Sequence, residues 1–194
     1  SPPCYSGVWI EGTGLPSGLN TYAIDFDGTN DYISFGSAGS GSTSESLQPA
    51  SGTYACWIKK DAFKWPSNVM GAGNPSGTAG ANKNFGPNLW IDYSHSSNPR
   101  VMANLGDNTY YALVISAGSL LPNSTWIHLA MTWNSTFSGD SDLSLYINGT
   151  ADTTTIANTG SSSSWNTTAQ KASRVFRLGN GTDDTYSWPT NCKM

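Results

Sequence analysis

The feature that most constrains the fold is a series of short segments in which bulky residues alternate with small or polar ones. YAIDFD (22–27), TWIHLAMTW (125–133) and LSLYI (143–147) show this two-residue period, and Gly, Pro, Asn or Ser separates such segments. The period is typical of β-strands, and no segment repeats apolar residues at helical spacing over the length of a helix. Many short strands with turn-rich connections indicate an antiparallel sandwich or barrel.

The segment 125–133 is bulky on both of its faces. Ile127 and Trp133 lie on one face, whereas Trp126 and His128 lie on the other. Such a strand is either covered on both sides, or covered on one side and lining a groove on the other. The chain is expected to reverse at Asn148-Gly149, because a type I′ hairpin turn needs positive φ at both central residues.

Composition limits the classes of partner. Charged residues make up 11% of the 194 residues, the net charge is −4, and Lys59-Lys60 is the most basic stretch. This argues against a nucleic-acid partner, and no apolar run has the length of a membrane span. Ser, Thr, Asn and Gly supply the polarity instead. We therefore expect a single domain over 1–194 that is extracellular: secreted, or on a virion, filament or cell surface.

Five motifs in a fixed order extend this expectation. AIDFDGTNDYISF, GTYACWIKK, TWIHLAMTWN, LSLYING and FRLGNG follow one another within residues 22–181. The ordered set resembles the laminin G-like, pentraxin-related members of the concanavalin A-like lectin-glucanase group. The resemblance implies an all-β fold, an antiparallel two-sheet jelly-roll sandwich, in which Trp126, His128 and Tyr146 are fold residues.

The sequence departs from that group after FRLG. The group usually closes with a further strand, whereas TDDTYSWPTNCKM (182–194) follows here. The closing strand is missing, altered, or supplied by SGVWIEGTG (6–14) or by another chain. A missing strand would leave an open sheet edge, which invites pairing.

Acidic residues and histidines do not form an enzyme pattern. Glu11 and Glu45 are the only glutamates and lie far apart, so the paired carboxylates of a glucanase on this fold are absent. No G-x-S-x-G motif accompanies His95 and His128. We expect no enzymatic activity.

Calcium is a candidate cofactor, because the resemblance implies loop sites for it. Asp140 and Asp142 are the first candidate ligands, followed by Asp27. Calcium takes about six to eight oxygen ligands, so several loops would have to converge. The alternative for Asp27 is a role in the turn before Gly28.

Three tryptophans lie in polar segments that read as loops. They are the candidate ligand-binding residues, as flat platforms for a glycan: Trp65, Trp165 and Trp188. The alternative is that each plugs the rim of the sandwich. The tryptophans of predicted strands are expected in the core: Trp9, Trp57, Trp90, Trp126 and Trp133.

The remaining candidate sites are covalent. Cys4 and Cys192 lie near opposite ends of the sequence, and we expect a disulfide between them, with two free thiols as the alternative. Cys56 is expected to be free and buried. Five sequons, all with Thr, are candidate glycosylation sites, although a Thr-rich composition would also produce them: Asn123, Asn134, Asn148, Asn166 and Asn180.

Two functions agree with these observations. The first is a non-catalytic recognition or adhesion module for a glycan or glycoprotein surface. The second is a structural surface subunit of a virion or extracellular filament, which would work by assembling with copies of itself or with other subunits. Fold alone does not decide between them.

Overall fold

A computed structural model describes residues 8–11, 22–29, 31–60, 67–73, 85–92, 100–106, 111–116, 121–134, 143–152, 155–158, 171–179 and 191–194. Strands dominate these ranges, and the helix α1 covers Thr43–Ser46. In chain order the strands are β1 Val8–Glu11, β2 Tyr22–Asp27, β3 Ile33–Ser34, β4 Gly52–Lys60, β5 Ser67–Gly73, β6 Phe85–Asp92, β7 Arg100–Gly106, β8 Tyr111–Ile115, β9 Trp126–Trp133, β10 Leu143–Ile147, β11 Thr150–Ala151, β12 Thr155–Asn158, β13 Val175–Leu178 and β14 Asn191–Lys193.

The described strands form two antiparallel sheets. Sheet A has the order β1-β2-β14-β4-β9-β10-β11, and sheet B has the order β12-β8-β7-β6-β5-β13-β3. The all-β, antiparallel two-sheet sandwich that the family resemblance implies is therefore confirmed, whereas the alternating segments alone had left a barrel open. Within the described ranges, no helix is long and apolar enough to cross a lipid bilayer.

The core lies between the sheets, and in β4, β9 and β10 it is built from every second residue. In β9, for example, Ile127, Leu129 and Met131 are at most 2% exposed. Trp133 lies on this same inner face, where its ring meets Tyr54 at a centroid distance of 4.6 Å. Its indole N–H donates to the carbonyl of Pro49 at 3.0 Å, so the polar group of this buried ring is satisfied.

The hairpin between β10 and β11 turns where the sequence predicts. Asn148 has φ +52° and Gly149 has φ +79°, the pair of positive angles that a type I′ turn requires. The amide of His128 donates to Oδ1 of Asn148 at 3.0 Å, and the amide of Asn148 donates to the His128 carbonyl at 2.8 Å. These bonds attach the turn to β9.

The closing strand is altered rather than missing. The C-terminal strand β14 lies between β2 and β4, with Cys192 opposite Phe26 on one side and opposite Lys60 on the other. Among the described strands, β1 neighbours β2 alone and lies at the edge of sheet A. Three residues of β14 therefore join two parts of the sheet that would otherwise be separated.

Three elements depart from the sequence-based expectations. The sequence stretches 35–52 and 74–88 are rich in Gly, Ser and Asn, which predicts long loops. Instead, α1 lies inside the first stretch and β6 begins inside the second, and strand β5 was not predicted. The register of β5 with β6 shifts twice, which breaks the two-residue period. At Gly71 the Asn88 side chain occupies the space that a Cβ would need, so a residue with a side chain would not fit there without a shift.

Candidate functional site

The outer face of sheet A carries a patch of aromatic side chains. Because β-strand residues alternate between faces, the residues next to the core positions of β4, β9 and β10 point outward. Four of them are rings that are neither buried nor fully exposed, and we call this patch the aromatic face: Trp57, Trp126, His128 and Tyr146. The sheet thus holds several large rings in contact with solvent.

Strand register brings these rings together. Trp57 and His128 are directly opposite each other, with ring centroids 5.2 Å apart and planes tilted by 58°. The next outward pair is Ala55 and Ala130, and Tyr146 lies opposite Ala130 on β10. The small residues Ala55 and Ala130 therefore lie between the Trp57–His128 pair and Tyr146.

The two ends of the aromatic face, taken along the strands, differ in chemistry. At one end Thr53 is opposite Thr132, which is opposite Ser144, so three hydroxyl groups stand in one row. At the other end Lys59 is opposite Trp126. The aromatic face therefore lies between neutral hydroxyls and one ammonium group.

This arrangement suits a ligand that has both apolar and hydroxylated surfaces. A sugar ring presents C–H groups on its faces and hydroxyl groups at its edge. Indole and phenol rings can cover the C–H groups, and side-chain hydroxyls can hydrogen-bond the edge. Exposed patches of large apolar groups on a folded protein commonly mark interaction sites.

The inner face of β4 contains three titratable groups whose pKa is shifted by burial, and the first, Tyr54, has its pKa raised. Burial raises the pKa of the Cys56 thiol to about 12 and lowers the pKa of the Lys60 ammonium to about 8. A thiol with a raised pKa is protonated at neutral pH and is a poor nucleophile. Cys56 packs against the core on the inner face of the sheet, behind the aromatic face.

The exposure of the strand tryptophans corrects the expectation that all of them lie in the core. Trp57, Trp90 and Trp126 are not core residues, since each is partly exposed, whereas Trp133 is 4% exposed as expected. Trp126, His128 and Tyr146 pack on the sheet, as the resemblance implies for fold residues, and they face outward rather than into the core. The signal that identifies them is the second alternation of 125–133, the face that could line a groove.

The outer face of sheet B is closed by comparison. Asn68, Asn88 and Asn104 lie on β5, β6 and β7 and are 1%, 2% and 6% exposed. Asn68 Nδ2 donates to Asn88 Oδ1 at 2.8 Å. Buried amides bonded to each other hold strands together, and these three side chains are less exposed than the rings of the aromatic face. Trp90, on the same outer face of sheet B, is partly exposed.

Several predicted site residues lie outside the described residues. These are the three platform tryptophans, the two first calcium candidates, one cysteine and two sequons: Trp65, Trp165, Trp188, Asp140, Asp142, Cys4, Asn166 and Asn180. Their predicted roles, including the Cys4–Cys192 disulfide, stay predictions. Cys192 is buried, and Cys56 is a free thiol that is partly rather than fully buried.

Asp27 behaves as the turn residue of the alternative interpretation. Its Oδ1 accepts from the amide of Thr29 at 2.7 Å, and its own amide donates to Oδ2 of Asp31 at 3.1 Å. Among the described residues, no group of three or more His, Cys, Asp or Glu side chains could hold a metal ion. The calcium prediction now depends on Asp140 and Asp142.

Three sequon asparagines fall within the described ranges and all are exposed. Asn123 precedes Ser124, whose φ is +58°, in the turn before β9. Oδ1 of Asn134 accepts from the Ser51 hydroxyl at 3.0 Å, and Oδ1 of Asn148 accepts from the His128 amide. Exposure leaves room for a glycan at each, and their use stays a prediction.

Known proteins share this architecture. No curated protein matches the chain. Among solved structures, the chain is similar to the enzymatically active domain of tailspike protein 2 of bacteriophage CBA120, with a TM-score of 0.61 and 12% identity. The similarity covers 97% of this chain and 26% of that one, and at this identity it shows the fold alone. Residues 27–190 match the family described as the concanavalin A-like lectin/glucanases superfamily. The chain therefore belongs to the concanavalin A-like lectin/glucanase superfamily.

Proposed function

We propose that this domain is a non-catalytic recognition module that binds a glycan or glycoprotein surface through the aromatic face. The observation that carries the proposal is the cluster of partly exposed rings on adjacent strands, Trp57 opposite His128 and Lys59 opposite Trp126, with Tyr146 beside them. Rings held by a sheet lose little freedom on binding, which lowers the entropic cost of association.

The distribution of carboxylates supports recognition without catalysis. Strands β4, β9 and β10, which build the aromatic face, contain no Asp or Glu. Glycoside hydrolysis generally uses two carboxylates that flank the scissile bond. The superfamily description names both lectins and glucanases, and the chemistry of these strands favours a lectin-like role. A surface rich in Ser, Thr and Asn suits an extracellular location.

Glycan-array binding of matched variants tests the proposal. We expect the wild type to bind a subset of glycans. The variants Trp57→Ala and Trp126→Ala should each bind about tenfold or more weakly, which corresponds to a loss of about 1.4 kcal/mol of binding free energy. Trp90→Ala is the matched control, because it removes a partly exposed indole from sheet B. Equal losses in all three variants, or no binding by the wild type, would overturn the proposal.

Further measurements test hydrolysis, calcium binding and the predicted loop platforms. Release of reducing ends from any bound glycan measures hydrolysis, and we expect none above background. Addition of a chelator tests calcium, and Asp140→Asn with Asp142→Asn tests its predicted ligands. Trp65→Ala, Trp165→Ala and Trp188→Ala test whether the predicted loop platforms extend the aromatic face.

A second candidate function is a structural subunit on a virion or extracellular filament. The observation that favours it is the fold similarity to a domain of a phage tailspike protein, of which this chain spans 26%. In that case the aromatic face would contact another subunit. Mass in solution and electron microscopy of the purified chain would then show a defined oligomer or filament, and Trp126→Ala would dissociate it.

A further inference from the structure

The aromatic face has a cationic end, which narrows the kind of sugar that fits it. Lys59 is opposite Trp126 on one side and opposite Lys193 on the other. Strands β14, β4, β9 and β10 contain no Asp or Glu. Asp25 is opposite Lys193 on β2, one strand further from Trp126. Lysine at this end therefore contrasts with the net charge of −4 of the whole chain.

The position of Lys59 relative to the rings is suited to two-point recognition. Residues directly opposite on adjacent strands have Cβ atoms about 4.5–5.5 Å apart. The Trp126 ring and the Lys59 ammonium can therefore contact the same sugar residue, the ring on its C–H face and the ammonium on an acidic substituent. Trp57 lies two residues before Lys59 on the same face, close enough to contact the neighbouring sugar.

We propose that the preferred ligand of the aromatic face is an anionic glycan, with an acidic group paired to Lys59 and sugar rings on Trp126 and Trp57. This inference rests on the proposed function and adds the charge of the ligand to it. A carboxylate of a uronic acid and a sulfate ester share the chemistry that an ammonium group recognises. A net-negative protein would otherwise repel such polymers, so binding requires a local cationic site.

Paired polymers test the proposal without changing the protein. Polygalacturonate is compared with its fully methyl-esterified form, and a sulfated galactan with the desulfated galactan, by affinity electrophoresis or calorimetry. We expect at least one acidic polymer to bind more tightly than its neutral partner, by about fivefold, and the difference to shrink as salt is raised. The two pairs show which acidic group is recognised.

A lysine variant with a matched control locates the contact. Lys59→Met should lower affinity for the acidic polymer by about two- to fivefold and leave the neutral one unchanged, and Lys59→Arg should restore part of it. Lys171→Met removes the same charge next to β13 of sheet B and should have no effect. Trp126→Ala should weaken the binding of both the acidic polymer and its neutral partner.

The outcomes separate this inference from the proposed function. Equal binding of the acidic and neutral polymers, or equal effects of Lys59→Met and Lys171→Met, would overturn the proposed preference for an anionic glycan. Either result would leave glycan recognition intact. Binding to no glycan of either kind would overturn both.

Discussion

The two faces of the strand pair β4–β9 contain the same residue types in opposite environments. Trp133 and Lys60 lie on the inner face and are 4% and 1% exposed. Trp126 and Lys59 lie on the outer face of the same strands, and both are partly exposed. Residue type therefore does not decide the environment: the covered indole packs in the sandwich, whereas the other indole stays partly exposed to solvent.

The largest expected effect is on the inner face. Trp133→Ala should lower the free energy of unfolding by about 3–5 kcal/mol, because it empties the space beside Tyr54 and leaves the Pro49 carbonyl without its indole donor. Chemical denaturation of the purified variant measures this loss. A loss below about 1 kcal/mol would show that the inner and outer tryptophans are energetically alike.

The hairpin turn should have the next largest effect. Gly149→Ala places a Cβ at φ +79°, which costs about 1–2 kcal/mol for an L-residue. No atom lies within 4 Å of that Cβ, so conformation rather than crowding is tested. The measurement is the denaturation midpoint. If Gly149→Ala is as stable as the wild type, the turn does not contribute to holding Asn148 against His128.

Lys60 should make stability depend on pH. Burial lowers its pKa from 10.5 to about 8, so between these values the unfolded chain binds more protons than the folded chain. The contribution of Lys60 to stability therefore rises as pH increases through this window. The difference in unfolding free energy between wild type and Lys60→Met, measured across pH 8 to 10.5, isolates this contribution from other titrating groups. A difference that is flat with pH would contradict the inward position of this ammonium.

Trp126→Ala should change stability least of the aromatic substitutions. Its ring is partly exposed, so we expect a loss of less than about 1 kcal/mol, together with the loss of binding given above. Thermal unfolding compared with Trp133→Ala gives the contrast directly. Equal losses in the two variants would remove the distinction between a structural and a binding face.

Glycosylation should leave the fold unchanged and is measured by mass. We expect the natural protein to carry glycans on at least two sequons, and the exposed Asn123, Asn134 and Asn148 are suitable acceptors. A natural mass equal to that of the bare 20.6 kDa chain would exclude this. A glycan on Asn148 would stand beside His128 and would restrict access to the aromatic face.

Most strands could be predicted because their residues alternate, and two could not for identifiable reasons. β5 has a shifting register and contains Gly71, where the Asn88 side chain fills the place of a side chain. β14 spans only three residues, too few to show a period. Its existence depends on pairing with β2 and β4, which are distant in sequence.

The sequence by itself determined the alternation of β9 and the turn at Asn148-Gly149, because both depend on local backbone geometry. It also determined that Trp126 and Trp133 would point in opposite directions. Only the tertiary structure decided which of the two would be covered, because burial depends on what packs against each face. Trp133 meets Tyr54, whereas Trp126 lies opposite Lys59 and is partly exposed. The candidate site follows from that difference, since a ring can bind a ligand only where the fold leaves it accessible.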